Sequence, residues 1–513
     1  MATLKHVAVI DIGSNTVRLV IYQLTELYDF HELQNVKLPV RLYQYLDQDK
    51  NLAKKGIDKL VEVIRLFQKV MGHYQLDDVI ATATAVIRQA NNQEEVLASV
   101  AQETGLSLRL LSDEEEASYG QYAITRSTQF NEGYTVDMGG GSTEVTYFKN
   151  GVIKHYHSFP FGVVTLQELF YATADKKADE KAAAYIKEQI SQFSWIKPRK
   201  LPIIAIGGSS RNIASVHQRM IDYPMSGIHE YEMSREDLQQ TYELFDQLTV
   251  AQKQNLDGLS RDRADIITPA NLLYLCLFDA VAAEKFVFCH RGLREGLLME
   301  RINQEAASAY TPNNVRKMTV RRLADLYLAD AVGASQRLTI AKTLLAEVEA
   351  AGLLYPTQKV MDYLEAGTYL YHLGAYVEED DSSMHSFYLL ANSNLSGFSH
   401  KSRLSLALVA SYKNKSLFNQ FLRQYKNWLN PEALQVIREV GSIIKFCDAL
   451  AITRVNEIRK LKFRKKDKGT YTLKIIWKYD PLAEYYRATR QKKNLEYVLG
   501  KTIELDFQKE EGS

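Results

Sequence analysis

The sequence predicts an α/β protein in which two similar domains precede a mainly helical one. The first observation is an internal repeat, because VIDIGSNTVRLVIY near the N-terminus returns further on as TVDMGGGSTEVTYF. The aspartates of the two copies, Asp11 and Asp137, are 126 residues apart (137 minus 11), which is too long for a solenoid period and suits tandem domains. The second observation is a change to amphipathic helical patterns after Asn303. We therefore expect domains at residues 1–125, 126–303 and 304–513.

Chain length and composition fit this organisation. A chain of 513 residues is long enough for two to four domains. Its 46% hydrophobic and 24% charged residues are typical of soluble globular proteins, and no apolar run reaches the roughly 18 to 20 residues that span a bilayer. The N-terminal segment lacks a signal-peptide pattern, so we expect a cytoplasmic protein with no membrane partner. The cysteines have no paired spacing and are expected to be buried thiols: Cys276, Cys289 and Cys447.

Each copy of the repeat has the pattern of a β-hairpin with an acid just before the turn. Runs rich in Val and Ile predict buried strands on both sides, and a carboxylate at that point is either a turn former or a functional acid. The duplication favours function, because two such turns facing each other across a cleft would offer amide and hydroxyl donors to phosphate. The three consecutive glycines of the second copy would let a ligand approach the main chain closely.

A third glycine-rich turn lies in IIAIGGSSRNIASV and leads from an apolar strand into a helix. Its first helical amides could bind an anion, or the turn could be an ordinary connection between a strand and a helix. The pattern GxxxxGK[ST] is absent, and no GxGxxG opens a helix after a strand, which argues against two common nucleotide-binding classes.

These three turns, in this order, resemble the exopolyphosphatase and guanosine pentaphosphate phosphohydrolase family. The resemblance implies two actin-like domains, of the ribonuclease H-like superfold, with a cleft between them. It extends over residues 5–303 through ATATAVIRQANN, LLSDEEEASYGQYAI, SFPFGVVTL, DRADIITPANLL and RGLREGLLMER. These segments add further family residues: Arg88, Gly162, Arg263, Asp265 and Arg294.

The acidic run DEEE opens a predicted helix, where acids commonly just complement the helix dipole. The resemblance implies instead that the last acid of the run, Glu116, is catalytic, with Glu115 as its neighbour. Family members usually have an arginine after the next alanine, whereas this chain has Ser118. Arg88 or Arg18 would then have to do more of the phosphate binding.

Hydrolysis of a phosphoanhydride needs a positioned water, a base near it and stabilisation of charge on the transferred phosphoryl group. We expect Glu116 to act on the water and Mg²⁺ to be the cofactor, held by three acids: Asp11, Asp137 and Glu144. The expected phosphate-binding residues come from the three turns and from arginines: Gly13, Ser14, Asn15, Thr16, Arg18, Arg88, Gly139, Gly140, Gly141, Ser142, Thr143, Gly207, Gly208, Ser209 and Arg263.

The helical region resembles the HD-type domain of longer family members, in which His and Asp side chains bind metal. The pattern is eroded, because Leu373 follows His372 where the Asp of the HD pair belongs, while His385 and Asp448 are kept. A metal site without its bridging acid is not expected, and the histidines are interpreted as structural.

Near the C-terminus, IRKLKFRKKDKGTYTLKIIWKY predicts a β-hairpin with clustered Lys and Arg before its turn. These charges could be a solvated face, or they could form a track for a polyphosphate chain that extends beyond the cleft. RNA is an alternative ligand for the same patch, although nucleic acid is not the partner that we expect.

The function that the sequence favours is a Mg²⁺-dependent exopolyphosphatase that releases orthophosphate from the ends of inorganic polyphosphate. One alternative is hydrolysis of guanosine pentaphosphate at the same site, alone or together with the first activity. An alternative from a different class is a nucleotide or polyanion sensor with little turnover. A second copy of the chain is a further candidate partner.

Overall fold

The computed structural model describes residues 5–173, 175–307, 309–312, 314–327, 331–455, 458–478 and 480–510. The chain divides into two compact units, Met1–Tyr223 with Ile228–Val315 and Pro224–Gly227 with Arg316–Ser513. The domain boundaries proposed at 125/126 and 303/304 stay predictions.

The first sheet of the larger unit starts with the first predicted hairpin. Its strands are β1 (Lys5–Ile12), β2 (Val17–Leu24), β3 (Phe30–Leu38), β4 (Asp78–Ala83) and β5 (Arg109–Leu110), and its helices are α1 (Lys54–Met71), α2 (Ala85–Arg88), α3 (Gln93–Thr104) and α4 (Asp113–Thr125). The strand order is β3-β2-β1-β4-β5. The first three strands are antiparallel, and β4 and β5 are parallel to β1 and β4. Helix α1 packs its apolar side, which recurs every three or four residues, on this sheet.

The second sheet repeats this plan around the second hairpin. Its strands are β6 (Glu132–Met138), β7 (Thr143–Lys149), β8 (Val152–Phe159), β9 (Ile203–Ile206), β10 (Tyr231–Met233) and β11 (Phe286–Phe288), and its helices are α5 (Val163–Leu166), α6 (Ala178–Ser191), α7 (Gly208–Met220), α8 (Arg235–Gln247), α9 (Val250–Lys253), α10 (Ile267–Val281) and α11 (Leu293–Glu305). The strand order is β10-β11-β9-β6-β7-β8. Three antiparallel strands are again followed by parallel ones, β9 and β11. The α/β class with two similar halves is therefore confirmed.

Both hairpins place the predicted acid opposite a charged residue on the next strand. Asp11 pairs with Arg18 across β1 and β2, and Asp137 pairs with Glu144 across β6 and β7. Because cross-strand partners point to the same face of a sheet, each acid shares its face with that partner.

The smaller unit is mainly helical, as predicted. Its helices, counted from Val315 onward, are α12 (Val315–Leu326), α13 (Ala331–Ala350), α14 (Gln358–Leu370), α15 (Ser382–Asn392), α16 (His400–Ala410), α17 (Lys415–Leu422), α18 (Pro431–Ala449) and α19 (Leu482–Leu499), and its strands are β12 (Ile458–Lys465), β13 (Thr470–Trp477) and β14 (Thr502–Lys509). Two residues of the eroded HD pattern meet, because His372 Nε2 lies 2.8 Å from Asp448 Oδ1, and the same oxygen lies 3.5 Å from Nη1 of buried Arg337. Asp448 therefore pairs with an imidazole and a guanidinium group of the protein.

The basic hairpin forms as predicted, but a third strand lies beside it. β14 pairs in parallel with β13, and this strand was not predicted. It brings Glu504 into the row of Arg464 and Thr472, and Lys466 Nζ lies 2.7 Å from Glu504 Oε2. Part of the basic patch is therefore paired with an acid.

The three cysteines are free and buried, which confirms the interpretation from the sequence. Among the described residues, no helix is both long enough and apolar enough to cross a membrane.

Helices α4 and α11 approach each other at Gly296, where no side chain fits. A Cβ at Gly296 would lie 2.1 Å from the main-chain oxygen of Tyr119. This contact sets the distance between the helix that carries Glu116 and the helix that carries Arg294.

We predict that Gly296→Ala lowers the melting temperature by several degrees, because α4 and α11 would have to move apart. Overpacking of this kind typically costs about 1–3 kcal/mol, and the better helix propensity of Ala offsets roughly 1 kcal/mol. Gly72→Ala at the end of α1 is the matched control, since its Cβ would lie 3.4 Å from the nearest atom. Thermal unfolding of both variants checks the prediction, and an unchanged melting temperature for Gly296→Ala would contradict it.

Candidate active site

The two repeated turns lie next to each other. Each is closed by the same hydrogen bond, from Gly13 N to Thr16 O (3.0 Å) in the first turn and from Gly139 N to Ser142 O (2.9 Å) in the second. A Cβ at Gly140 would lie 3.5 Å from Asn15 Cβ. The predicted arrangement of two facing turns is therefore present.

The second turn is held from behind by the start of α5. Val163 N donates to Gly139 O (3.1 Å), and Val164 N donates to Gly140 O (3.0 Å). A Cβ at Gly162 would lie 2.4 Å from Gly139 O, so this close approach requires glycine. Because these carbonyl groups already have partners, the turn can present its amide groups to a ligand.

The hydroxyl groups at the end of the second turn point inward. Thr143 is fully buried, and its Oγ1 donates to Phe161 O (2.8 Å). Ser142 is also buried, and its hydroxyl hydrogen bonds to Glu144. The structure thus does not bring Thr143 to the cleft as a phosphate ligand, because it begins β7 on the face that packs inward.

The third glycine turn lies against the second hairpin. A Cβ at Gly207 would lie 3.1 Å from Asp137 Oδ1, and a Cβ at Gly208 would lie 2.3 Å from Arg263 Nη2. Arg263 Nη1 donates to Ser209 Oγ (3.0 Å). The structure brings this predicted group together at the first turn of α7, where the Arg263 guanidinium adds a positive charge to the helix dipole.

Four carboxylates lie within electrostatic reach of one another. Burial, followed by the charges of Glu144 and Asp11, raises the pKa of Asp137 to about 7. Burial also raises the pKa of Asp11, although Arg294 and Arg18 act in the opposite direction. The four acids, which include Glu116, form what we call the acidic cluster: Asp11, Glu116, Asp137 and Glu144.

Glu116 is held in this cluster by Arg88. Burial and the charge of Glu144 raise the pKa of Glu116 well above its usual value, and Arg88 lowers it. Arg88 Nη1 lies 3.1 Å from Glu116 Oε2 and also donates to Leu111 O (2.8 Å), while its other terminal nitrogen donates to Asp113. Arg88 was predicted to bind phosphate, but its contacts orient Glu116.

Glu115 lies apart from the acidic cluster. Its Oε2 accepts a hydrogen bond from Ser112 N (2.9 Å), and Ser112 Oγ accepts one from Glu115 N, which is a capping box at the start of α4. Its other oxygen pairs with Arg109 at 2.5 Å. The Ser112 amide, followed by Arg109, lowers its pKa. These contacts do not support the predicted catalytic role of Glu115.

Glu144 has a partner that the sequence did not suggest. Ser158 Oγ donates to Glu144 Oε1 (2.9 Å) from the neighbouring strand β8. Burial raises the pKa of Glu144, and the hydroxyl groups of Ser142 and Ser158 lower it. The only local signal was that Ser158 belongs to the segment SFPFG.

Three arginines extend the positive surroundings of the acidic cluster. Burial, followed by the charge of Arg294, lowers the pKa of both Arg18 and Arg211. The Nε atoms of Arg211 and Arg294 are buried without a hydrogen-bond acceptor among the described residues. Arg211 was not predicted, although it lies in the first turn of the helix after the third glycine turn. Asp265 and Ser118 are exposed and make no part of this group.

The side chains of the acidic cluster can be compared with what a magnesium ion needs. No three His, Cys, Asp or Glu side chains meet at metal-ligand spacing within the described part of the chain. Mg²⁺ in phosphate-transfer sites is commonly held by only one or two carboxylates, with water and phosphate oxygens completing its shell. Asp137 and Glu144 face the same way across their hairpin, and the charge of Glu144 contributes to the raised pKa of Asp137, an effect that a divalent cation would oppose.

The fold and the site together are typical of proteins that bind phosphate groups between two similar α/β domains. The two sheets have the same arrangement of strands, their glycine-rich turns face each other, and the acidic cluster lies at these turns. Residues 20–305 match the model of the Ppx/GppA phosphatase family, and residues 315–485 match its domain III. The chain therefore belongs to the Ppx/GppA phosphatase family, as the sequence predicted.

Curated relatives carry two different names. The guanosine-5'-triphosphate,3'-diphosphate pyrophosphatase of Pseudoalteromonas translucida is 26% identical over 416 residues, which is 79% of this chain and 79% of that protein. Exopolyphosphatase 1 of Mycobacterium bovis is 26% identical over 310 residues, which is 59% of this chain and 89% of that protein.

Solved structures share the fold of the larger part of the chain. The Ppx/GppA family member of Aquifex aeolicus is 24% identical with a TM-score of 0.53, covering 59% of this chain and 99% of its own. An exopolyphosphatase from Cytophaga hutchinsonii is 19% identical with a TM-score of 0.52, covering 58% of this chain and 98% of its own. These likenesses support the actin-like fold of the two sheets.

We predict that the metal-free protein loses stability as the pH rises through about 7. Folded Asp137, with a pKa of about 7, keeps a proton that the unfolded chain releases near pH 4, so its contribution is present below pH 4 and is lost between pH 4 and 7. The melting temperature in excess chelator should therefore fall between pH 4 and 7 and level off above pH 7.

Asp137→Asn is the matched variant for this pH dependence, because it keeps the shape of the side chain and cannot ionise. The fall in melting temperature should be smaller in the variant than in the natural protein. Identical profiles for the two proteins would show that Asp137 does not titrate in this range.

Proposed function

We propose that the protein is a Mg²⁺-dependent hydrolase that removes terminal orthophosphate from inorganic polyphosphate. The observation that carries this proposal is the position of Glu116, whose side chain is 13% exposed, in the acidic cluster beside the facing turns. A carboxylate at that point can act on a water, and the turns can hold the phosphoryl group that the water attacks.

In this mechanism the amide groups of the two turns bind the terminal phosphoryl group. Glu116, in its ionised form, accepts a proton from a water whose oxygen attacks the terminal phosphorus. The bond from that phosphorus to the bridging oxygen breaks, and the bridging oxygen leaves with the shortened chain. Arg88 orients Glu116 and favours its ionised form. Mg²⁺, when bound by Asp137 and Glu144, would neutralise charge on the phosphates.

The surroundings of the cleft support a polyanionic substrate. The charge of Arg294 lowers the pKa of both Arg18 and Arg211, so these guanidinium groups lie close together, and such a group gains from an anion. A linear polyphosphate supplies several phosphate groups in sequence, so the groups behind the terminal one could bind these arginines.

Hydrolysis of guanosine pentaphosphate is the second candidate. The pyrophosphatase relative matches this chain over 416 residues, a longer region than the 310 residues matched by the exopolyphosphatase relative. The same acidic cluster could cleave its terminal phosphate. A polyanion sensor with little turnover is the third, and the position of Glu116 argues against it.

One experiment separates these candidates. Orthophosphate release should be measured from long polyphosphate and from guanosine pentaphosphate, each with Mg²⁺ and with excess chelator. Faster release from polyphosphate, only with Mg²⁺, is the expected result. Release from the nucleotide alone would replace the first candidate by the second, and no release from either would favour the sensor.

We predict that Glu116→Gln lowers the rate of hydrolysis by roughly a hundredfold or more, because it removes the group that accepts the proton. Polyphosphate binding should persist, since the turns and arginines are unchanged. Glu115→Gln is the matched control, and it should retain most of the activity because Glu115 caps α4. The two rates and the two binding constants check the prediction, and an inactive Glu115→Gln with an active Glu116→Gln would reverse the assignment.

We predict that Asp137→Asn raises the Mg²⁺ concentration for half-maximal activity by about tenfold or more, because an amide is a poorer ligand for a hard cation. Ser158→Ala should have a smaller effect in the same direction, since Ser158 orients Glu144. Magnesium titrations of activity measure both effects. Full activity of Asp137→Asn in excess chelator would contradict metal dependence.

The basic hairpin provides a test of chain length. If it binds the distal part of polyphosphate, changing both Lys462 and Arg464 to Glu should raise the Michaelis constant for long chains and not for short ones. The difference should shrink as salt rises, because the Debye length falls from about 10 Å at 0.1 M to about 3 Å at 1 M. Equal Michaelis constants at every chain length would identify a solvated face.

A further inference from the structure

Helices α18 and α19 of the smaller unit present a row of basic and aromatic side chains. On α19, residues 486, 490, 493 and 497 follow one another at intervals of four, three and four, which places them in one stripe along the helix. The buried residues of α19 lie on its opposite side: Glu484, Ala488 and Leu495. The stripe and its neighbours on α18 form what we call the α18–α19 face: Arg438, Lys445, Tyr486, Arg490, Lys493 and Tyr497.

Contacts between these side chains alternate cations with rings. The guanidinium of Arg438 lies 5.1 Å from the centre of the Tyr497 ring, and that of Arg490 lies 5.6 Å from the centre of the Tyr486 ring. Both distances are within the range of a cation–π interaction. The face is therefore assembled from two helices that are joined by a long connection.

The cations of this face have no acidic partners among the described residues. Burial lowers the pKa of Lys445, and the charges of Lys493 and Lys413 lower it further. Within the described part of the chain, Lys445 Nζ donates to the main-chain oxygen of Lys413, and Arg438 Nε is buried without an acceptor. Holding like charges together is unfavourable, and an anion would relieve it.

The tyrosines decide which anion suits the face. Tyr486 is 59% exposed and Tyr497 is 45% exposed, so both rings can meet a ligand. Inorganic polyphosphate has no group that stacks on a ring. A single-stranded nucleic acid has a phosphate and a planar base in every nucleotide, and its bases stack on exposed aromatic side chains.

We propose that the α18–α19 face binds single-stranded nucleic acid, with phosphates on the Arg and Lys side chains and bases on Tyr486 and Tyr497. The site is separate from the acidic cluster and does not depend on the proposed hydrolysis. The α18–α19 face is not the site that the sequence indicated, because the sequence indicated RNA as an alternative ligand of the basic hairpin. The ligand is a single-stranded nucleic acid, and the test compares RNA with DNA.

The test measures binding of a fluorescent twelve-nucleotide oligouridylate and of the matching oligothymidylate to the full-length protein. Tyr486→Ala should weaken binding by about tenfold through loss of stacking, and Tyr486→Phe should keep it. The double change Arg490→Gln and Lys493→Gln should reduce the slope of log binding constant against log salt concentration by about 1.4, because each lost phosphate contact on a single strand removes roughly 0.7. An unchanged melting temperature of each variant shows that it is folded.

Lys462→Gln with Arg464→Gln on the hairpin is the matched control, since it removes two cations elsewhere in the same unit, one half-buried and one exposed. It should leave the oligonucleotide affinity unchanged. Three outcomes would overturn the proposal: no binding of either oligonucleotide at low salt, an equal loss in the hairpin control, or no effect of Tyr486→Ala. The last of these, together with full competition by inorganic polyphosphate, would identify a general polyanion surface.

Discussion

Repulsion among four carboxylates at the meeting point of two sheets is the constraint on which this site depends. The duplicated hairpins each bring an acid to the same place, and Glu144 and Glu116 add two more. Ionised carboxylates at this spacing are costly, and the raised pKa values express that cost. The surrounding arginines, the hydroxyl group of Ser158 and a bound cation are all ways to reduce it.

The close approach of main chain to main chain makes this concentration of charge available. Gly162 lets α5 tie back the carbonyl groups of the second turn, and Gly208 gives the Arg263 guanidinium room at the start of α7. A side chain at either point would separate the turn from its neighbour. Glycine is required at both positions because it has no side chain. The amide groups of the turns then form the surface that a phosphate would contact.

The smaller unit treats charge differently. Its Asp448 is paired with His372 and with the guanidinium group of buried Arg337. The α18–α19 face has the opposite imbalance, because its cations have no acidic partners within the described residues. Acidic side chains thus cluster in the larger unit and basic side chains cluster in the smaller unit. The net charge of +1 does not reveal these clusters, because their charges cancel in the sum.

The sequence by itself determined the repeated hairpins, the three glycine turns and the acid before the turn of each hairpin. It also determined helix α4, which begins with the acidic run that ends at Glu116. Each of these features depends on residues that are a few positions apart. The tertiary structure decided which side chains meet. It turned Thr143 inward, used Glu115 as a cap, joined Arg88 to Glu116 and placed Ser158 beside Glu144. It also added β14 to the basic hairpin and aligned α18 with α19. These contacts join separate elements of the fold, and no local pattern specifies them, since they depend on how strands and helices pack.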